Sequence, residues 1–131
     1  MVESNPDDAF LICRALKALP FCTSYLCRSL AEARAYLSQS GIFKDSENYP
    51  PPAALITELR LGVDSGYELL TWLKQSKNLA TIPVFILAGI ISPQDRAALN
   101  SFGIKRIVEK PNGAIELKRV LADMAQEVCG S

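Results

Sequence analysis

No histidine occurs anywhere in this 131-residue chain. That excludes a histidine-based catalytic triad and argues against zinc. An excess of charge of either sign is also missing: fourteen Lys and Arg balance fourteen Asp and Glu, so composition offers no electrostatic case for nucleic acid as a partner. Although 49% of the residues are hydrophobic, no run approaches the roughly 20 apolar residues of a membrane helix. The opening, Met1-Val2-Glu3-Ser4-Asn5-Pro6-Asp7-Asp8, is polar and acidic, unlike a secretory leader. The expectation is a cytoplasmic protein with no membrane contact. Four cysteines, Cys13, Cys22, Cys27 and Cys129, lack the paired spacing of a metal site. They read as reduced thiols, three of them packing as small apolar groups. Internal repeats and low-complexity segments are absent, and the length suits one domain, residues 1–131, with a proper core.

What is present is a regular alternation of short apolar runs and amphipathic stretches. Asn5-Pro6-Asp7-Asp8 is a helix start: a capping amide, a proline in the first turn, then acids at the positive end of the dipole. That helix carries Ile12, Leu16 and Leu19 on one face and ends near Pro20. Thr23 to Cys27 reads as a short strand. Ser29 to Glu32 fits a capping box, with Leu30, Ala33 and Leu37 as the buried stripe. Ser38 to Pro52 is polar and turn-rich, an exposed loop. It is long for such a connection, and with Phe43 and Tyr49 it is either a recognition loop or a flexible excursion.

The most informative stretch runs from Ala53 to Gly66. An apolar run, the mark of a strand buried on both faces, stops on Glu58 and passes through a Gly-containing loop into a second capping box, Ser65 to Glu68. Leu69, Leu70 and Leu73 then face inward. Pro83 to Ala88 is another buried strand, Ser92 to Asp95 caps the next helix, and Gly103 ends it. Ile104 to Glu109 is the last strand, broken by Lys110-Pro111. The final helix shows Leu117, Val120, Leu121, Met124 and Val128 at helical spacing. Such alternation means parallel pairing with right-handed crossovers. The first strand must precede Asn5, where only four residues stand.

In this arrangement the C-terminal ends of the strands gather Glu3 and Ser4, Glu58, Ala88 and Lys110, and open α/β folds place their chemistry at that edge. The order Val-Glu-Ser-Asn-Pro-Asp-Asp, then Glu58 to Gly66, then Lys110-Pro111, resembles the receiver domain of two-component response regulators over essentially the whole chain. The resemblance implies a flavodoxin-like, doubly wound five-stranded parallel sheet in the order 2-1-3-4-5, with helices on both faces and the first strand short or truncated. It also implies a pocket in which two acids and a phosphoacceptor Asp hold magnesium. Here the acids fall at Glu3 and Ser4, and Ser4 has no charge for a hard cation. Glu58 replaces the phosphoacceptor, and its extra methylene displaces the carboxylate where errors near 1 Å can cost about 100-fold in rate. The switch hydroxyl falls at Ala88, next to Gly89, and the switch aromatic at Ile107. The loop-closing proline is Gly62. Lys110 matches outright.

Phosphoryl transfer rests on positioning and on charge neutralisation by metal, lysine and hydroxyl. The sequence therefore reads as a stand-alone pseudo-receiver acting by protein–protein contact, with no cofactor or at most weakly bound magnesium. Its partner would be a histidine kinase or an effector, with a homodimer as a further option. The expected partner face combines Arg96, Asn100, Lys105, Arg106, Ile107, Glu109 and Lys118. A Glu58–Lys110 salt bridge either imitates the phosphorylated state or merely satisfies two rim charges, and Glu3 is a metal ligand or a rim charge bonded to Lys110. Asp64 could substitute as acceptor or bond within its turn. Arg60 could clamp an anion or face solvent, and Trp72 could anchor an interface or pack against a neighbouring loop. The competing functions are a receiver phosphorylated by a histidine kinase and, from another class, a small enzyme using Glu58 and Lys110 as acid and base. The latter lacks a phosphate loop, an activated nucleophile and a metal set.

Overall fold

The computed structural model describes residues 1–20 and 22–129; the thiol of Cys129 lies outside the described residues. Helix α1 (Pro6–Lys17) opens as its sequence dictates, with the Asn5 side chain accepting the Asp8 N–H at 3.0 Å. Helix α2 (Leu30–Leu37) follows. Strand β1 (Leu55–Thr57) leads to a ribbon of β2 (Arg60–Leu61) and β3 (Asp64–Ser65), then to α3 (Gly66–Gln75). Strand β4 (Val84–Ala88), α4 (Pro93–Asn100), β5 (Arg106–Glu109) and α5 (Ala114–Cys129) complete the chain.

β4 is the middle of a three-stranded parallel ladder, β1-β4-β5, with Thr57 opposite Ile86 and Ile86 opposite Ile107. Beyond β1 the sheet continues by single residues. Val2 bridges Thr57 on one side and Cys27 on the other, both in parallel. The sequence Cys27, Val2, β1, β4, β5 is the 2-1-3-4-5 arrangement with its first two members reduced to one residue each. Thr23 to Leu26, read above as strand, forms no ladder, because opposite it stands only Met1, whose N donates to the Tyr25 carbonyl at 3.1 Å. The β2–β3 ribbon, with Arg60 opposite Ser65, was not anticipated: two-residue strands are too short to show a period.

The two faces of the sheet are covered separately. Ile12, Leu16 and Leu19 pack with Leu117 and Leu121 of α5 against Leu87. On the other face Leu30, Leu37, Leu69, Leu73 and Leu99 pack against Ile86 and Ala88. Each fully buried leucine or isoleucine contributes about 1.5–3 kcal/mol. The 38–52 connection is mostly exposed, as expected, but it is anchored by aromatic residues. Gly41–Lys44 is a 3-10 turn, Phe43 is buried, and Tyr25, Tyr36, Phe43 and Tyr49 form one ring cluster with centroids 4.8–6.2 Å apart. The Tyr36 hydroxyl fastens the far end, donating to the Pro50 carbonyl at 2.7 Å. Aromatic packing thus anchors the loop, with Phe43 buried and Tyr49 half-buried in the cluster.

Helix caps explain the remaining boundaries. Ser65 with Glu68, and Ser92 with Asp95, form reciprocal capping boxes. At α2 the pattern is altered: Ser29 accepts the Glu32 N–H, but the Glu32 carboxylate takes the Arg28 N–H at 3.2 Å instead of that of Ser29. Gly103, at φ +67, turns the chain after α4 toward β5.

Candidate functional site

Because β1, β4 and β5 are parallel, the residues after them emerge on one edge, as does Glu3 after Val2. Three of the residues singled out in the sequence meet there. Lys110 Nζ lies 2.5 Å from Glu3 Oε1 and 2.7 Å from Glu58 Oε2, and a third carboxylate, Asp8 Oδ2, stands at 2.8 Å. Only the Asp8 contact also has hydrogen-bond alignment; Glu3 Oε1 and Glu58 Oε2, both buried, are held by charge at contact distance.

Each member is fixed by its backbone surroundings. The Lys110 N–H donates to the Ala88 carbonyl at 2.7 Å, which ties the lysine to the end of β4. Glu58, 6% exposed, curls back on its own loop: Oε1 accepts the Leu59 N–H at 2.9 Å and the Arg60 N–H at 3.4 Å. Glu3, 1% exposed, accepts the Asn5 N–H on Oε2 at 3.2 Å. Arg28 grips the same corner, donating to the carbonyls of Glu3 at 3.2 Å and Ser4 at 3.3 Å. Asp8 had been read only as a helix-dipole acid. The signal for more was its place in the first turn of a helix that starts directly after the Val2 bridge, at the edge where the strands end.

The electrostatics follow from one cation among three acids. Burial raises the Glu3 carboxyl above its ordinary range, and Lys110 pulls the other way without cancelling it. For Lys110 burial opposes the charge, but the contacts with the carboxylates of Asp8, Glu3 and Glu58 outweigh it and hold the ammonium above the usual lysine value. A half-buried ammonium facing three carboxylates has an acid at contact distance for each of its N–H groups and none left for an incoming anion. The oxygens that a hard cation would need are in contact with the lysine, so a magnesium ion would have to compete with Lys110 for Glu3 and Glu58. Among the described residues no cluster of His, Cys, Asp or Glu is arranged to hold a metal ion.

The other residues expected at the pocket are placed as follows. Ala88 is fully buried at the end of β4, Gly89 is exposed beside it, Ser4 is half-buried, and Ile107 is half-buried against the larger core. Arg96, Asn100, Lys105, Arg106, Glu109 and Lys118 are all exposed. Arg106 pairs with Glu127 at 2.9 Å, and Glu109 accepts the Ile91 N–H at 3.3 Å. Asp64 lies in β3, and Arg60 is exposed. Trp72 is half-buried under the Arg34 guanidinium, 5.8 Å from its ring centroid.

One contact crosses from α3 to α4 without touching the lysine. The Tyr67 hydroxyl donates to Asp95 Oδ1 at 2.7 Å. Burial and this carboxylate push the Tyr67 hydroxyl up to about 12, while the Ser92 N–H and the Tyr67 hydroxyl lower Asp95. A raised tyrosine favours the folded state in its neutral form. Its contribution is complete below about pH 10, the unfolded value, and is lost as pH rises through about 12. Tyr67→Phe is expected to lower stability by about 1 kcal/mol at neutral pH, with the difference vanishing above pH 12, as read by urea unfolding at several pH values.

The fold, with its pocket edge, is similar to that of the receiver domains of response regulators. No protein-family profile matches the chain, but solved structures of that class do. The phosphorylated cyanobacterial phytochrome response regulator RcpA aligns with TM-score 0.84 at 25% identity, covering 97% of this chain and 89% of its own. The bacteriophytochrome response regulator AtBRR aligns at 0.73 and 29% identity, over 97% and 89%. The manganese-bound form of response regulator Rcp1, at 0.82 and 24% identity over 99% and 92%, shares the fold. Among curated proteins, the probable methanogenesis regulatory protein FilR2 of Methanothrix harundinacea (strain 6Ac) is 29% identical over 126 residues, 96% of this chain and 79% of that one. These relatives are response regulators and a probable regulatory protein.

Proposed function

We propose that this receiver domain signals by protein contact without phosphorylation, its phosphate pocket being filled by its own side chains. The observation that carries this is the Lys110 ammonium, held within 2.8 Å of Glu3, Asp8 and Glu58 at once. In this reading Glu58 stands at the phosphoacceptor position with both carboxylate oxygens engaged. Ala88 offers no hydroxyl to a phosphoryl group and Ile107 no aromatic relay. Magnesium, if it binds, competes with the lysine for Glu3 and Glu58 and binds weakly. The partner is a histidine kinase or an effector protein, met on the face carrying Arg96, Asn100, Lys105, Arg106, Ile107, Glu109 and Lys118; a homodimer would use the same face. A cytoplasmic location fits the free thiols of Cys13 and Cys27, and among the described residues no helix is long and apolar enough to cross a membrane.

Intact mass after incubation with acetyl phosphate and magnesium, beside a receiver known to react, tests this. No added phosphate is expected. A stoichiometric adduct that disappears in Glu58→Gln overturns the proposal and restores a phosphorylated switch with unusual residues.

A further inference from the structure

Between them, α2 and α3 leave a groove of about 370 Å³. From α3 come Tyr67, Glu68, Thr71, Trp72 and Gln75, and from α2 comes Arg34. Glu68, Thr71, Trp72 and Gln75 follow the i, i+3, i+4, i+7 spacing of one helix face. Arg34 is the unusual member. Its side chain is half-buried and stacks over the Trp72 ring, 5.8 Å from the centroid. The Nε is buried without an acceptor, and among the described residues the guanidinium has no hydrogen-bond or ion-pair partner. Glu68, the acid of the same groove, is engaged elsewhere: its Oε1 accepts the Ser65 N–H at 3.1 Å and caps α3. A half-buried arginine without an acid is uncommon, since desolvating a charge is costly unless it is paired.

We propose that this groove binds a small aromatic monocarboxylate, with its carboxylate on the Arg34 guanidinium and its ring against Trp72. The guanidinium is a planar fork that matches a carboxylate, and stacking on the indole has already removed part of the rotamer freedom that binding costs. The Glu68 carboxylate leaves the walls neutral in sum, which disfavours a dianion such as phosphate. Trp72 and Tyr67 offer aromatic surface to a ring. Size decides between a small molecule and a protein. The volume lies within the roughly 300–1,000 Å³ of small-ligand sites, whereas the six residues of the walls fall far short of the roughly 20–30 a side of a stable protein interface. The groove shares no residue with the acidic cluster, so its chemistry is independent of whether that pocket accepts phosphate.

Trp72 is the single tryptophan of the chain, so tryptophan fluorescence of the intact protein reads the groove directly. The probe is phenylacetate at neutral pH, with phenylacetamide as its uncharged counterpart. The expected result is a saturable fluorescence change at about millimolar phenylacetate. Phenylacetamide should bind about tenfold more weakly, and Arg34→Gln should weaken phenylacetate by about the same factor, the worth of a charge-assisted hydrogen bond. No saturable change overturns the proposal, as does equal binding of acid and amide, or binding that Arg34→Gln leaves unaltered. Displacement of phenylacetate by an equal concentration of inorganic phosphate also overturns it, since the groove is then a general anion site. So does tighter binding of a capped tetrapeptide carrying Glu beside Phe, which makes it a protein-docking surface. Should Arg34→Gln fold poorly, the comparison of acid and amide on the unmodified protein decides alone.

Discussion

Lys110→Met is expected to destabilise the domain by about 3–5 kcal/mol, the penalty of leaving buried carboxylates without their cation. For a chain of this size that lowers Tm by roughly 10–20 °C. The reason is the geometry at the strand edge: Glu3 and Glu58 are both buried, and charge contact with Lys110 is the partner of Glu3 Oε1 and Glu58 Oε2. Methionine keeps an unbranched apolar stem of nearly the same length and removes the ammonium. The pH dependence identifies the cause. Burial already holds the Glu3 carboxyl above its ordinary range. An acid raised on folding favours the folded state when protonated, a contribution present at low pH and lost as pH rises through its pKa. Without Lys110 the rise is larger, so the deficit against the unmodified protein should be greatest near neutrality and shrink toward pH 4. Thermal unfolding across that range is the measurement. A deficit independent of pH would show that lost packing, not lost charge, is the cause. Adding Glu3→Gln to Lys110→Met should recover part of the loss, because one uncompensated charge is then gone.

Gly66→Ala carries the second large effect, and its origin is purely steric. Gly66 opens α3 directly against the turn that follows β1. A Cβ on it would stand 2.4 Å from the Glu58 carbonyl oxygen and 3.0 Å from the Leu59 Cα. Both are backbone atoms and cannot rotate aside. The Gly66 N–H also donates to the Leu59 carbonyl at 2.8 Å, so relief by moving the helix start breaks that bond. A loss of about 2–3 kcal/mol is expected, in the range of core overpacking, together with displacement of Glu58 from Lys110. Gly89→Ala is the matched comparison: a Cβ there meets nothing within 4 Å, and Tm should not move. Equal losses in the two variants would refute the steric account. Denaturant unfolding measures the stability, and the backbone amide shifts of Leu59 and Arg60, which bond Glu58 Oε1, report the displacement.

The helices, the buried strands β1, β4 and β5, and the parallel alternation were legible because each carries a period or a cap. Ser65 and Ser92 marked helix starts to the residue. What escaped was structure made by few residues or by distant ones. The β2–β3 ribbon is two residues a side. The Thr23 to Cys27 run has strand composition, yet it lacks a full partner strand and pairs only through Cys27. The 38–52 connection looked polar because its two aromatics are diluted among charges, and only folding brings them onto Tyr25 and Tyr36. At the site, Glu3, Glu58 and Lys110 were found by their positions at strand ends, which local pattern fixes. Asp8 was not, since its approach to Lys110 depends on how α1 sits against the edge, a tertiary fact.

That approach has a consequence for synthesis. Asp8 and Lys110 are 102 positions apart, and Glu3 is farther still. The acids of the cluster therefore leave the ribosome early and remain solvated, while their single counter-charge arrives only after four of the five helices have been made. Closing so long a loop is among the last steps such a chain can take. An interaction formed that late holds the native state shut against opening and does little to speed its formation. Lys110 is thus a latch on the lifetime of the fold, set after the rest of the chain has found its place.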